Sequence, residues 1–337
     1  MRKWRVAVLC GTLGILPHHA VSQLPSNLPV PQHGAVPQPA GAPGGLKVLN
    51  WAGFKAAITY TFDDSLASQI ANYPQLQASG ARMTFFLVGA GDQNSPVWAQ
   101  AARDGHELGN HTEHHCRANG RTCISGGYAG SIEAEYDLCT AHIRIYGASA
   151  WTTAAPYGDT GYDAVARTRF FLNRGVMSGQ VAPNDNSDPY NLPIYGAAAG
   201  DNAGIFDSYI DSAHKAGNWQ IFLFHSLGGD GGYAPVNIAD VLASIHHAQS
   251  LNDVWIDSMV NIGAYWAGQK AVTNAVSRKS GHSTILTWTL PAHFPPGRIV
   301  RVTVTGGRLK QAGRVLAWKS AGYYEVALDG GELTILP

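Results

Sequence analysis

Apolar residues along the chain gather into short runs, and the stretches between them carry helical spacing. AAITYTF (56–62) is followed by a helical segment through ANYPQLQASG (71–80), then by the run ARMTFFLVG (81–89), the helical SPVWAQAARDG (95–105) and the run HELGNHT (106–112). The alternation resumes with ASAWTTAAPYG (148–158), GYDAVARTR (161–169), FFLNRGVMSG (170–179), the helical GIFDSYIDSAHKAG (204–217) and the buried run WQIFLFH (219–225). It ends with VNIADVLASIHHAQSL (236–251) and VWIDSMVNIGAYWAGQ (254–269). Strand and helix in regular succession imply parallel strands joined by crossover helices. Roughly six or seven such units predict an α/β fold, a distorted (β/α) barrel rather than an open sheet, with chemistry at the C-terminal strand ends. Past residue 280 the helices stop, and short alternating strands between Gly and Pro turns predict a small all-β, sandwich-like domain over 281–337. Residues 23–45 carry Pro and Gly too often to pack and read as a linker, which leaves 46–275 for the barrel.

The first 22 residues have basic Arg2, Lys3 and Arg5, an apolar stretch from Val6 to Leu16, and Ala20-Val21-Ser22 as a small-x-small cleavage site. That is the pattern of a secretory signal peptide, too short to span a membrane. Leu9 before Cys10 disfavours a lipoprotein, so the expectation is a secreted or periplasmic protein without membrane insertion. Loss of the three basic residues changes 23 cationic against 23 anionic side chains to 20 against 23. No basic patch results, so polyanions such as nucleic acid are poor candidates for partners. The 45% apolar and 14% charged content fits a sizeable core. Of Cys116, Cys123 and Cys139, the first two would close the short loop CRANGRTC, the favoured disulfide in an oxidising compartment.

Two carboxylates, Asp63 and Asp64, end the first buried run, where like charges repel and burial is costly without a compensating cation or donor. Capping of the next helix would be the ordinary explanation. Downstream, GNHTEHHC supplies His111 and His115, four apart, so one helical turn would bring both imidazoles to one side while His114 points away. Two imidazoles and one carboxylate, with a further position open, form a catalytic zinc arrangement.

With these residues in place, the chain resembles the polysaccharide deacetylases of carbohydrate esterase family 4, the NodB-homology fold, over roughly residues 46–270. The motif T-F-D-D stands as Thr61-Phe62-Asp63-Asp64, H-[S/T]-x-x-H as His111-Thr112-Glu113-His114-His115, and L-x-H as Leu223-Phe224-His225; R-x-P-Y survives in part as Ala154-Ala155-Pro156-Tyr157. The resemblance implies that Asp64, His111 and His115 hold Zn2+ or another divalent transition metal, that Asp63 is the general base, and that His225 is the general acid. It also implies that the Tyr157 N–H, after Pro156, stabilises the oxyanion. The substrate class implied is an acetylated carbohydrate, N- or O-linked. Two departures stand out. Ala154 replaces the arginine that orients the base, with Arg174 at a later strand end as the candidate replacement, and the Asp-before-Trp motif has no clear match, although Asp185 and Asp188 lie in its interval. The glycine-rich HSLGGDGGY after His225 reads as a rim loop carrying Tyr233 as a sugar-stacking aromatic. Trp151 and Tyr190 are further groove candidates, Trp219 a core residue, and His246 and His247 a solvated helix face. The alternatives are a carbohydrate-binding protein on a decayed deacetylase scaffold and an amidohydrolase of the same fold acting on a small amide. Oligomeric state stays open.

Overall fold

A computed structural model describes residues 28–31 and 34–337; the expected signal peptide lies outside the described residues. After the two-residue strand β1 (Lys47–Val48), the chain enters a barrel. Its strands are β2 (Ala56–Asp63), β3 (Thr84–Leu87), β4 (Glu107–Asn110), β5 (Thr152–Ala154), β6 (Leu172–Ser178), β7 (Leu192–Gly196) and β8 (Trp219–Phe224), with β9 (Val254–Ile256) beside them. The helices are α1 (Ala67–Ala78), α2 (Pro96–Arg103), α3 (Ile132–Ile145), α4 (Asp163–Ala166), α5 (Ala203–Ala216), α6 (Ile238–Ser250) and α7 (Met259–Thr273). All barrel pairings are parallel, in the order β3-β4-β5-β6-β7-β8-β2, and β2 pairs back to β3, closing a ring of seven strands. One edge of β2 is shared: Ala56–Ile58 pair with β9, and Thr61–Asp63 pair with β3. Every residue of β2 is buried, which is why AAITYTFD shows no polar alternation; a strand covered on both faces has no solvent side.

Local chemistry sets the helix ends. Ser131, Asn202 and Asn237 cap α3, α5 and α6 by accepting from backbone N–H groups of the first turn, and Ser95 does so ahead of Pro96 in α2. Gly217, at φ 76°, ends α5 in the left-handed conformation that glycine adopts without steric cost. Between sheet and helices lies an aromatic core in which Tyr60, Phe62, Phe85, Phe222 and Phe224 stack in succession.

The C-terminal residues form two antiparallel sheets from β10 (Val276–Ser280), β11 (Ser283–Thr287), β12 (Ile299–Thr303), β13 (Arg308–Gln311), β14 (Arg314–Val315), β15 (Tyr324–Ala327) and β16 (Glu332–Leu336). Their orders are β1-β12-β15 and β10-β11-β16-β13-β14. The all-β part thus takes a strand from ahead of the barrel, and its first hairpin opens at Val276. Trp219, Trp255, Tyr265 and Trp266 of the barrel share one continuous core with Val300, Val302, Tyr324 and Leu328. Arg301 fastens the junction. Its buried guanidinium donates to the carbonyls of Pro29 (2.7 Å) and Ala52 (3.0 Å) and lies 4.4 Å from the Tyr323 ring centroid. Residues of the expected linker run along this part, with Val36 N–H donating to Ser320 O and Gly44 bridging to Gly306. Gly307, at φ 84°, sits where a Cβ would strike the carbonyl of Leu336 and come within 3.1 Å of the Pro43 Cα. No helix among the described residues is long and apolar enough to cross a membrane.

Candidate active site

Asp63 closes β2, and the chain then turns through two left-handed residues, Asp64 (φ 77°) and Ser65 (φ 55°). Such backbone is costly outside glycine. Ser65 is tied into it, its Oγ accepting from the Val88 N–H at 2.9 Å. The N-cap of α1 is Leu66, with no side-chain cap, so neither aspartate is spent on capping. The carboxylates face the ends of neighbouring strands instead.

His111 follows directly on β4. Its Nδ1–H donates to the Ala154 carbonyl at 2.6 Å, which fixes the tautomer and presents Nε2 to the barrel mouth. The helical turn expected for residues 111–115 does not form. The segment is a bend with left-handed backbone at Thr112 (φ 66°) and His115 (φ 50°), held by Thr112 Oγ1 accepting from the His115 N–H. A bend makes the same convergence by another route: the two imidazole centroids lie 4.6 Å apart, and Asp64 Oδ1 stands 3.3 Å from each Nε2. His114 points away, its Nδ1 3.0 Å from Glu135 Oε1, and the buried Glu135 also accepts from the N–H groups of His114 and Ala129.

The donor set passes a fit test for a divalent cation. One ligand atom each from Asp64, His111 and His115 lies within 4.8 Å of the others, and the buried Asp64 Oδ1 has no hydrogen-bond partner. Burial alone would raise the Asp64 carboxyl pKa, but the adjacent His111 imidazole, then His115 and His225, more than offset it and hold the group well below the usual range. Burial, seconded by His111, pushes His115 down to about 4. For His111 burial works downward too, yet Asp63 and Asp64 outweigh it and the net shift is upward. An anionic carboxylate and a neutral imidazole are the forms that bind metal.

Arg174 of β6 is fully buried and donates through Nη2 to Asp63 Oδ2 in a short contact, with Nη1 donating to the Gly175 carbonyl at 3.1 Å and the guanidinium 5.5 Å from the Phe86 ring centroid. Ala154 and Arg174 are register partners on adjacent strands. The cation therefore arrives at the level of the alanine from one strand over.

His225 follows β8 and faces the same mouth. Burial lowers its pKa, opposed by Asp63 and Asp64, and its buried Nδ1 has no hydrogen-bond partner. Asp185 and Asp188 are occupied elsewhere, Asp185 by the Ala182 and Ser187 backbone and Asp188 by Arg167. Exposed Tyr233 stands edge-on to His225, ring centroids 4.9 Å apart. Tyr157, at φ 59° after Pro156, packs edge-on to His115 at 4.6 Å, and its hydroxyl donates to the Thr122 carbonyl. Thr122 belongs to the loop closed by the Cys116–Cys123 disulfide; Cys139 is free and buried. Tyr190 does not face the paired aspartates. It lies in a cluster with Tyr136, Tyr162 and Phe170, its hydroxyl donating to the Phe170 carbonyl, and Trp151 stands ahead of β5, at the opposite strand end from the mouth.

One residue the sequence patterns did not single out is Gln69. Buried in the first turn of α1, its amide donates to the carbonyls of both Asp63 (2.5 Å) and His225 (3.0 Å), pinning two strand ends at one spacing. A polar side chain on the buried face of a helix was the available signal.

A closed parallel barrel with paired aspartates, two histidines and an opposed histidine at its mouth defines a hydrolase-type centre. Residues 53–170, about a third of the chain, match the family model described as polysaccharide deacetylase, the family that the motifs resemble. The chain is 26% identical over 209 residues to a gellan lyase from Bacillus sp, covering 56% of this chain; it spans 8% of that protein's length. Among solved structures, a polysaccharide deacetylase from Bacillus cereus aligns with 19% identity over 60% of this chain and 91% of its own, TM-score 0.41. A family 4 carbohydrate esterase from Streptomyces lividans, in complex with acetate, aligns with 20% identity over 62% and 95%, TM-score 0.40.

Proposed function

We propose that this protein is an exported, metal-dependent deacetylase that removes acetyl groups from a carbohydrate. The observation that carries the reading is the convergence of Asp64, His111 and His115 around one unpartnered carboxylate oxygen, with Asp63 and His225 facing the same space. A divalent ion such as Zn2+, held by those three side chains, would supply Lewis acidity toward a water and the acetyl carbonyl oxygen. Asp63, aimed by the Arg174 guanidinium, takes the proton of the attacking water. As charge grows on the carbonyl oxygen, the Tyr157 N–H, by family analogy, donates to it. His225 gives a proton to the departing alcohol or amine. Burial lowers its pKa against the pull of Asp63 and Asp64, so a proton on its ring is readily given up. Acetate and the deacetylated sugar are the products. The Cys116–Cys123 disulfide and the N-terminal basic–apolar–small pattern support export.

The test is hydrolysis of a simple acetate ester with Zn2+ supplied, followed by acetate release from acetylated chitin fragments, peptidoglycan, acetyl-xylan and bacterial exopolysaccharides. Activity that disappears in Asp63→Asn supports the reading. Sugar binding with no turnover on any of them would favour the decayed scaffold.

A further inference from the structure

Resting on that reading, we infer that the substrate is an acidic saccharide, and that Arg117 binds a sugar carboxylate next to the acetylated position. Arg117 lies in the disulfide-closed loop of residues 116–123, exposed, with its guanidinium carbon 4.5 Å from the centroid of the Tyr157 ring. The same ring packs against the metal-ligand histidine His115. One aromatic ring therefore separates the cation from the reaction centre, and stacking restrains a side chain that would otherwise sample many rotamers. Among the described residues, the guanidinium forms no ion pair. Arg121 of the same loop is also exposed and makes no ion pair among the described residues.

Asp64 lies with His111 and His115, and three other acidic groups around the mouth are held by donors. Asp159 accepts from Ala118 N–H through one oxygen and from Gly161 N–H through the other. Asp230 accepts from Ser68 N–H, Ser226 Oγ–H and Gly232 N–H. Asp63 holds the charge of Arg174. Arg117 is thus a restrained cation at the rim with no ion-pair partner among the described residues, and a planar fork of donors matches a carboxylate in two parallel hydrogen bonds. Because the Tyr157 ring is engaged by Arg117 and His115, it is not a free platform for a sugar face. Recognition on this side runs through charge rather than stacking.

The experiment compares acetate release from one acetylated, uronate-containing oligosaccharide and from its methyl ester, which keeps the shape and removes the charge, in the wild type and in Arg117→Gln. The expected result is a wild-type kcat/KM about tenfold or more higher for the free acid, carried by KM and reduced by added salt, with the ratio collapsing toward one in Arg117→Gln. Equal wild-type rates on acid and ester overturn the inference while acetate release itself leaves the deacetylase reading standing. No release from either compound, nor from a simple acetate ester, overturns that reading. Calorimetric binding of the deacetylated acid then decides the inference alone: binding that needs Arg117 upholds it, and binding indifferent to Arg117→Gln rejects it.

Discussion

At the scale of single residues, the carboxylate that ends β2 is placed by a partner outside the family motifs. Asp63 is held by Arg174, a cation whose register partner is Ala154. Arg174→Ala should lower kcat by roughly a hundredfold, because it leaves the base unaimed and strands a buried carboxylate, a loss costing about 3–5 kcal/mol when one member of a buried pair goes. Metal content should be unchanged, since Arg174 touches none of the three ligands; wild-type kcat in the variant would relieve it of the role. The ligand set has its own check. His111→Ala combined with His115→Ala should abolish stoichiometric Zn2+ binding, read by metal analysis after dialysis, and full occupancy would reject the assignment. In the wild type, affinity should weaken as pH falls from 8 to 6: the carboxylates beside His111 favour its protonated form, and a ligand nitrogen must shed that proton. Competition titrations at the two pH values measure it.

The convergence of Asp64, His111 and His115 was legible in the sequence because a paired carboxylate and two spaced histidines are chemically conspicuous. Gln69 was not. It works through carbonyls on two strands far apart in sequence, and no local pattern announces that contact. The bend at 111–115 was illegible for a related reason: spacing of four suggests a helical turn, and only Asn110 and Thr112, accepting from backbone N–H groups within the segment, favour the alternative.

Among the elements, the strand–helix succession was readable wherever strands were buried on both faces, as in β2 and β8. The two-residue β1 is too short to show a period, and β10 is exposed along its whole length, so neither carries a hydrophobic signal. The junction of α2 and β4 offers a prediction of its own. His106 accepts from the Met83 N–H through Nδ1 and donates through Nε2 to Gln77, with its ring against Tyr73 and Phe85. Burial, against the pull of Asp104, pushes it down to about 4. The folded state keeps the ring neutral while the unfolded chain takes up a proton below about 6.5, so U binds more protons than N between those values. Stability is full above pH 6.5 and declines toward pH 4, by roughly 3 kcal/mol from this residue. His106→Asn retains an acceptor for Met83 but cannot titrate. Urea unfolding midpoints across that range should fall less steeply in the variant; parallel slopes would exonerate His106.

Across the whole molecule, the barrel and the C-terminal sheets share one hydrophobic core. The shared core of Trp219, Trp255 and Trp266 with Val300, Val302 and Leu328 would be laid open if the chain stopped at 275, and the donors of Arg301 would be lost from the carbonyls of Pro29 and Ala52. We expect the full chain to melt in one calorimetric transition and a fragment covering 46–275 to lack cooperative unfolding. Two separate transitions would show independent units. A sequence reading cannot see this unity, since the texture change near residue 280 is real and only the packing across it is hidden.

The crowding at Gly307, which both Pro43 and Leu336 approach, draws residues near 43 and near 336 to one place in the fold. A short peptide splicing residue 337 to residue 43 would thus join neighbouring positions at the loss of the Pro29 acceptor of Arg301, and the backbone could be cut anew in the glycine-rich rim between Gly228 and Gly232 without unthreading a strand. Such a permutant would keep the same barrel with its free ends moved to the lip of the mouth, where a tethered sugar-binding partner could be fused directly over the catalytic groups.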